Sequence, residues 1–175
     1  MNSTIINFFT VSTKARISML QYPILTKNAL VDYFYKEVKY QNHATLKQKE
    51  DSIHFTVTPF TSKYLNSRNK FNSYSEAIFT ITEKDNILTV SFIGLCKNIL
   101  YVSAVLPIFI FIASVFFIIA FGNPFYVLLA PLAPILFFVI ISLLLLFIQT
   151  ISMQLYLTNK INRIRENLRD NHSLY

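Results

Sequence analysis

Three histidines, one cysteine and nine carboxylates are the groups on this chain that could ligate a metal, attack an electrophile or relay a proton. Their spacing favours none of these. His43, His54 and His172 are scattered, with no cysteine or carboxylate at metal-ligand spacing from any of them. Asp32 and Glu37 are five residues apart and so fall on different faces of a helix, which does not make a paired-carboxylate site. Cys96 has Lys97 beside it, but a nucleophilic thiolate needs a wider stabilising environment than one neighbour. As the only cysteine it also excludes an internal disulfide. The two glycines, Gly94 and Gly122, are far too few and too scattered for a phosphate-cradling loop, a dinucleotide fingerprint or a nucleophile elbow. The expectation is a protein with no enzymatic signature, no cofactor and no metal.

The elements that position these groups are set by an uneven charge distribution. All 25 Lys, Arg, Asp and Glu lie outside residues 98–159, a run of 62 residues without one charge. The remaining 113 residues carry about 22% charge, near the roughly 25% of an ordinary soluble domain. The expected architecture is an α+β membrane protein in three parts. A small cytoplasmic sheet-plus-helix domain occupies 1–97, a two-helix transmembrane hairpin 98–153, and a basic helical tail 154–175.

Within the uncharged run, Ile99 to Phe121 would span about 34 Å as a helix, with Pro107 inside it. Gly122-Asn123-Pro124 supplies turn chemistry. Phe125 to Met153 is too long for one upright span, so Pro131 and Pro134 predict a bent or interfacial piece over 125–133 and a main span over 134–153. Basic residues flank the pair while the connecting turn carries none. By the positive-inside rule this places the chain in the inner (plasma) membrane as a multi-pass protein with both termini cytoplasmic. Neither span has an ionisable side chain, which argues against a proton relay within one copy. Ser142 and Gln149 are seven apart, on roughly one helix face, and Ser103 falls at a depth similar to Gln149. An interhelical hydrogen bond between Gln149 and Ser103 is expected, or alternatively an oligomer contact through these residues.

The amino-terminal domain carries a net charge of +5. Ile5 to Val11 has no basic residue before it and reads as part of a first strand rather than a secretory signal, with Ser3–Val11 and Arg16–Gln21 both extended. Thr26 is a good N-cap for a helix over Lys27–Gln41, whose apolar face is Leu30, Phe34 and Val38 with Tyr33 beside them. Ile53, Phe55 and Val57 alternate with polar residues as in a strand, and Thr45–Lys49 pairs with it around Glu50-Asp51. Glu76–Thr82 and Ile87–Ile93 form a hairpin around Glu83-Lys84-Asp85-Asn86, with the second strand buried on much of both sides and Gly94 ending it.

Lys63, Arg68 and Lys70 lie in a long segment between strands that reads as a solvated loop, with contact to anionic headgroups or to a specific partner as the alternatives. Lys97 and the tail cations Lys160, Arg163, Arg165 and Arg169 are expected to meet the headgroups. Leu157, Ile161, Ile164 and Leu168 form a short seam expected to pack on the sheet, with self-association the other option. The partners expected are therefore the lipid bilayer and either another copy or a second protein. Membrane topology already explains the basic flanks, so nucleic acid is not indicated. The reading is an integral inner-membrane accessory, sensor or interaction subunit that holds an α+β module at the membrane. Its alternative is an oligomeric pore-forming or membrane-disrupting effector gated by the cytoplasmic domain.

Overall fold

The structure, a computed structural model, describes residues 9–41, 45–56, 71, 73–121 and 124–169. Strand β1 (Thr10–Ser18) leads to helix α1 (Lys27–Gln41), then β2 (Thr45–Lys49), β3 (Ser52–Thr56), β4 (Glu76–Lys84) and β5 (Ile87–Leu95). Two long helices follow, α2 (Lys97–Phe121) and α3 (Pro124–Arg169). The five strands form one antiparallel sheet in the order β1-β5-β4-β3-β2.

Local chemistry sets the elements. Thr26 Oγ1 accepts the Ala29 N–H at 3.2 Å and caps α1, whose Leu30, Val31, Phe34 and Val38 are all buried. The β4–β5 ladder continues to the pair Lys84–Ile87, so the turn is only Asp85-Asn86. Both turn residues have positive φ, 52° and 58°, as a two-residue type I′ hairpin requires. The sequence places a four-residue turn here; Glu83 and Lys84 instead belong to the strand. Likewise β1 is one continuous strand across the gap between the two extended pieces expected. Its weakly apolar Thr13 and Ala15 hide the alternation, yet they share a face with Val11 and Ile17. Ser3–Phe8 lies outside the described residues.

Among the described residues, only one face of the sheet is covered. Phe79 at its centre touches four rings, lying 4.9 Å from Phe92, 5.2 Å from Phe34, 5.8 Å from Phe71 and 6.1 Å from Phe55. Helix α1 covers β3 and β4, while the later turns of α3 lie along β1 and add Met153, Tyr156, Leu157, Ile161 and Ile164, all buried, to the same core. The expected seam of the tail is thus spent on the sheet. On β5, Leu88, Val90 and Phe92 are fully buried, but Ile87 and Ile93 are 38% and 47% exposed. Burial on both sides of β5 is therefore not what the fold shows, because no described layer covers the second face.

Gly94 does not end β5; it is paired with Val11 and Ala77 inside the ladder. A Cβ at this position would lie 2.5 Å from Tyr74 Cδ1 and 2.7 Å from Phe92 Cζ. The residue is needed because two rings, packed edge to face with centroids 5.0 Å apart, close over it. Gly94→Ala is expected to cost about 1–3 kcal/mol through overpacking, seen as a lower melting temperature with unchanged far-ultraviolet circular dichroism.

Helices α2 and α3 are both long and apolar enough to cross a membrane. Pro107 lies inside α2 and is buried, and Pro124 opens α3, a position that needs no backbone donor. The two helices meet through small or compact residues, with Ser103, Pro107, Pro134 and Ser142 buried between them. Outward they present Phe109, Phe116, Ile119, Leu136, Phe147 and similar side chains.

Candidate functional site

The arrangement that combines polar chemistry with burial is the seam where α3 leaves the apolar hairpin and runs along the sheet. Read down α3, it begins at Gln149. Its Nε2 donates to Ser73 Oγ at 3.0 Å, and its carbonyl accepts the Tyr74 hydroxyl at 3.5 Å. About two turns on, Tyr156 is buried edge to face against Phe71, with centroids 5.5 Å apart. Lys160 Nζ then pairs with Glu37 Oε1 of α1 at 2.7 Å, both side chains 17% exposed, and lies 5.7 Å from the centre of the Tyr156 ring. Burial first, and the Glu37 carboxylate second, hold the Tyr156 hydroxyl protonated well above the usual tyrosine range. Tyr33, half-buried nearby, is raised by the same two causes, with Arg163 acting in the opposite direction.

The seam also closes the edge of the sheet. Strand β1 is terminal, so its outward carbonyls lack a neighbouring strand. Gln154 Nε2 donates to the Lys14 carbonyl at 3.3 Å and Arg165 Nη2 to the Arg16 carbonyl at 3.0 Å. Side chains of α3 therefore supply the donors that a sixth strand would have supplied.

The residues singled out in the sequence have separate fates. Gln149 bonds to Ser73, from the segment ahead of β4, where hairpin depth alone pointed to Ser103. The Ser103 hydroxyl donates to its own helix at the Ile99 carbonyl, 2.6 Å away. Ser142 is fully buried between the helices, and its hydroxyl has no hydrogen-bond partner among the described residues. Ser142→Ala is accordingly expected to leave stability unchanged or raise it slightly, since it removes an unsatisfied polar group; comparison of melting temperatures with the parent protein checks this. Of the tail cations, Lys160 and Arg165 are engaged within the protein, whereas Arg163 and Arg169 are exposed. Lys97 is the first residue of α2, and Lys63, Arg68, Lys70, His43 and His172 lie outside the described residues. His54 is half-buried on β3, 3.1 Å from Ser52 Oγ.

Cys96 is the single residue between β5 and α2. Its N–H donates to the Phe9 carbonyl at 2.8 Å, and its own carbonyl accepts the Ile99 N–H at 3.1 Å. The side chain is buried, and that burial pushes the thiol pKa up from 9.0 to about 12. The folded protein should therefore resist maleimide at pH 7.5 and react on unfolding. Because the folded thiol holds its proton longer than the unfolded one, it contributes stability below pH 9 that is lost as pH rises from 9 toward 12. Buried Tyr74 and Tyr156, also raised, add to this alkaline loss, so the melting temperature should fall steadily across that window.

Sequence reasoning did not find Glu37, Ser73, Tyr74 or Tyr156. Tyr156 and Lys160 stand at i and i+4 on one helix face, a signal that was present; the Ser73–Gln149 contact joins residues 76 apart and had none. Compared with known proteins, the chain matches no family model, and neither a curated protein nor a solved structure is significantly similar to it.

Proposed function

We propose that this protein is a non-enzymatic membrane subunit that holds its α+β module rigidly at the cytoplasmic face of the inner membrane, as an accessory, sensor or interaction component. The observation that carries the reading is the continuity of α3. One helix of 46 residues, about 69 Å long, supplies both an apolar stretch and the buried layer along β1. A displacement of the span would thus move the sheet, and a load on the sheet would reach the span. The short β5-to-α2 connection through Cys96 gives the module a second fixed point.

The outward apolar surface of α2 and α3 supports lipid as their surroundings, because an exposed patch of that extent is unstable in water. The uncharged connection between them and the basic flanks support cytoplasmic termini. Several hydroxyls in the hairpin are turned back on their own helices: Ser103 to Ile99, Ser114 to Ile110 and Thr150 to Leu146. That leaves few groups to line an aqueous pore, so the accessory reading is preferred to the pore-forming one. Mass measurement of the protein released from native-like lipid discs tests it. One copy, alone or with a different protein, agrees with the proposal; a homogeneous closed ring of several copies contradicts it.

A further inference from the structure

Among the described residues one face of the five-stranded sheet is covered, and the other is largely polar. Across the ladders its side chains fall into rows, each row crossing the sheet from β1 to β2. Ser12, Ile93, Ile78, His54 and Lys47 make one row, and Lys14, Ser91, Thr80, Ser52 and Lys49 make the next. The centre of this face is apolar, since Ile78 and Ile93 are directly paired on neighbouring strands and Ile93 is 47% exposed. A groove of about 360 Å³ runs over them, with Leu95, Lys47, His54 and, at its end nearest α2, Glu76 among its walls.

The rim of the face is cationic at both sides. Lys14 and Arg16 stand outward on β1, and Lys47 and Lys49 on β2, all exposed. None of the four has a carboxylate within ion-pair distance among the described residues, while Lys27 and Lys160 are both paired, with Asp51 and Glu37. Among the outward positions of the described strands Glu76 is the one acid, and it lies in the row nearest α2. An apolar centre inside a charged rim is the anatomy of a protein interface.

We propose that this face docks an acidic segment of a second protein, whose apolar side chain seats on Ile78 and Ile93 while its carboxylates meet Lys14, Arg16, Lys47 and Lys49. Charge complementarity selects this occupant over three others. A second copy placed face to face would set these cations against one another. Nucleic acid lacks its stacking platform, because Phe55, Phe79 and Phe92 point into the core and no Phe or Tyr stands outward on the described strands. Headgroups are remote from three of the four cations. Counted along the strands from the entry of β5 into α2, Lys14 and Lys49 lie about four residues, or roughly 14 Å, back and Arg16 roughly 20 Å, beyond a Debye length of about 8 Å at physiological salt, while Lys47 lies about two residues, or roughly 7 Å, back.

The inference rests on the interaction-subunit reading and gives it a surface. Its test uses the full chain in phosphatidylcholine discs, with the δ1 methyl groups of isoleucine isotope-labelled. The probe is a short synthetic peptide rich in Asp and Glu around a Leu-Phe pair, compared with the same peptide carrying Asn and Gln instead. Saturable binding of the acidic peptide is expected, with the methyl signals of Ile78 and Ile93 shifting while that of Ile81, on the opposite face of β4, stays. The triple variant Lys14→Glu/Lys47→Glu/Lys49→Glu should weaken it by about tenfold or more. If the triple variant does not fold, Ile93→Ser, an outward change, should weaken binding and abolish the shift at Ile78. Absence of saturable binding, equal affinity for both peptides, or shifts confined to other isoleucines overturns the proposal. So does stronger binding of polyuridylate, or a shift of Ile78 and Ile93 produced simply by adding phosphatidylserine to the discs. A ring of several copies in these discs would refute the proposed function itself, whereas a single copy that ignores the peptide refutes only the docking surface.

Discussion

Phe79→Ala should lower the unfolding free energy by about 3–5 kcal/mol, the largest effect expected of any single truncation in the sheet. The ring is fully buried at the junction of α1, β3, β5 and the segment before β4. It meets Phe34 from α1, Phe55 from β3, Phe71 from the segment before β4, and Phe92 from β5. Truncation forfeits the transfer of the ring and leaves a void that four large rings cannot refill without leaving their rotamers. At roughly 2–4 °C per kcal/mol the melting temperature should fall by about 10 °C. The chain has no tryptophan, but its one buried thiol serves as the reporter. A maleimide that fluoresces on capture should detect Cys96 at the lower temperature in the variant. Phe79→Leu, which keeps much of the volume, should recover over half of the loss.

The second large effect concerns the ion pair between α1 and α3. Lys160→Met leaves the Glu37 carboxylate facing an apolar side chain and the Tyr156 hydroxyl with little water. A cost of roughly 2–3 kcal/mol is expected, below that of a fully buried pair because both side chains keep 17% exposure. Glu37→Met/Lys160→Met should regain most of it, since removing both charges removes the desolvation penalty with the attraction. The cycle measures the coupling directly. Equal losses in the single and double variants would show that the unpaired Glu37 carboxylate is not the source of the cost. A large loss in the single variant with recovery in the double would assign the bond between the two helices to charge.

Much of the fold could be read from the residues. The helix after Thr26, the pairing of β2 with β3, the β4–β5 hairpin and the two apolar helices all follow from short-range signals: a cap, a period of two and an uncharged run. What could not be read are the places where distant segments meet. Gly94 looks like a strand terminator in sequence, and only the approach of Tyr74 and Phe92 gives it another role. Gln149 has a hydroxyl partner at the depth of Ser103 if the hairpin is considered alone, but its amide reaches Ser73 once the sheet is set beneath it. The alternation in β5 predicts apolar residues on both faces, and it is right about their positions; whether a second layer covers Ile93 is decided by the number of helices available, two for one face. Lys160 and Arg165 read as headgroup anchors because cations beyond a span usually are. The tail seam of Leu157, Ile161 and Ile164 turns α3 onto the sheet, and this carries Lys160 to Glu37 and Arg165 to the edge of β1.

The central claim is that an apolar hairpin crosses the membrane and holds the sheet on the side where α3 ends. Its most direct test is the reaction of single introduced cysteines with a membrane-impermeant maleimide in vesicles of both orientations, for which the buried Cys96 gives a silent background. Asn86→Cys in the β4–β5 turn and Glu166→Cys near the end of α3 should react only in inside-out vesicles. Asn123→Cys, between the two apolar helices in sequence, should react only from the outer face. Reaction of Asn86→Cys and Asn123→Cys from the same face would contradict the account.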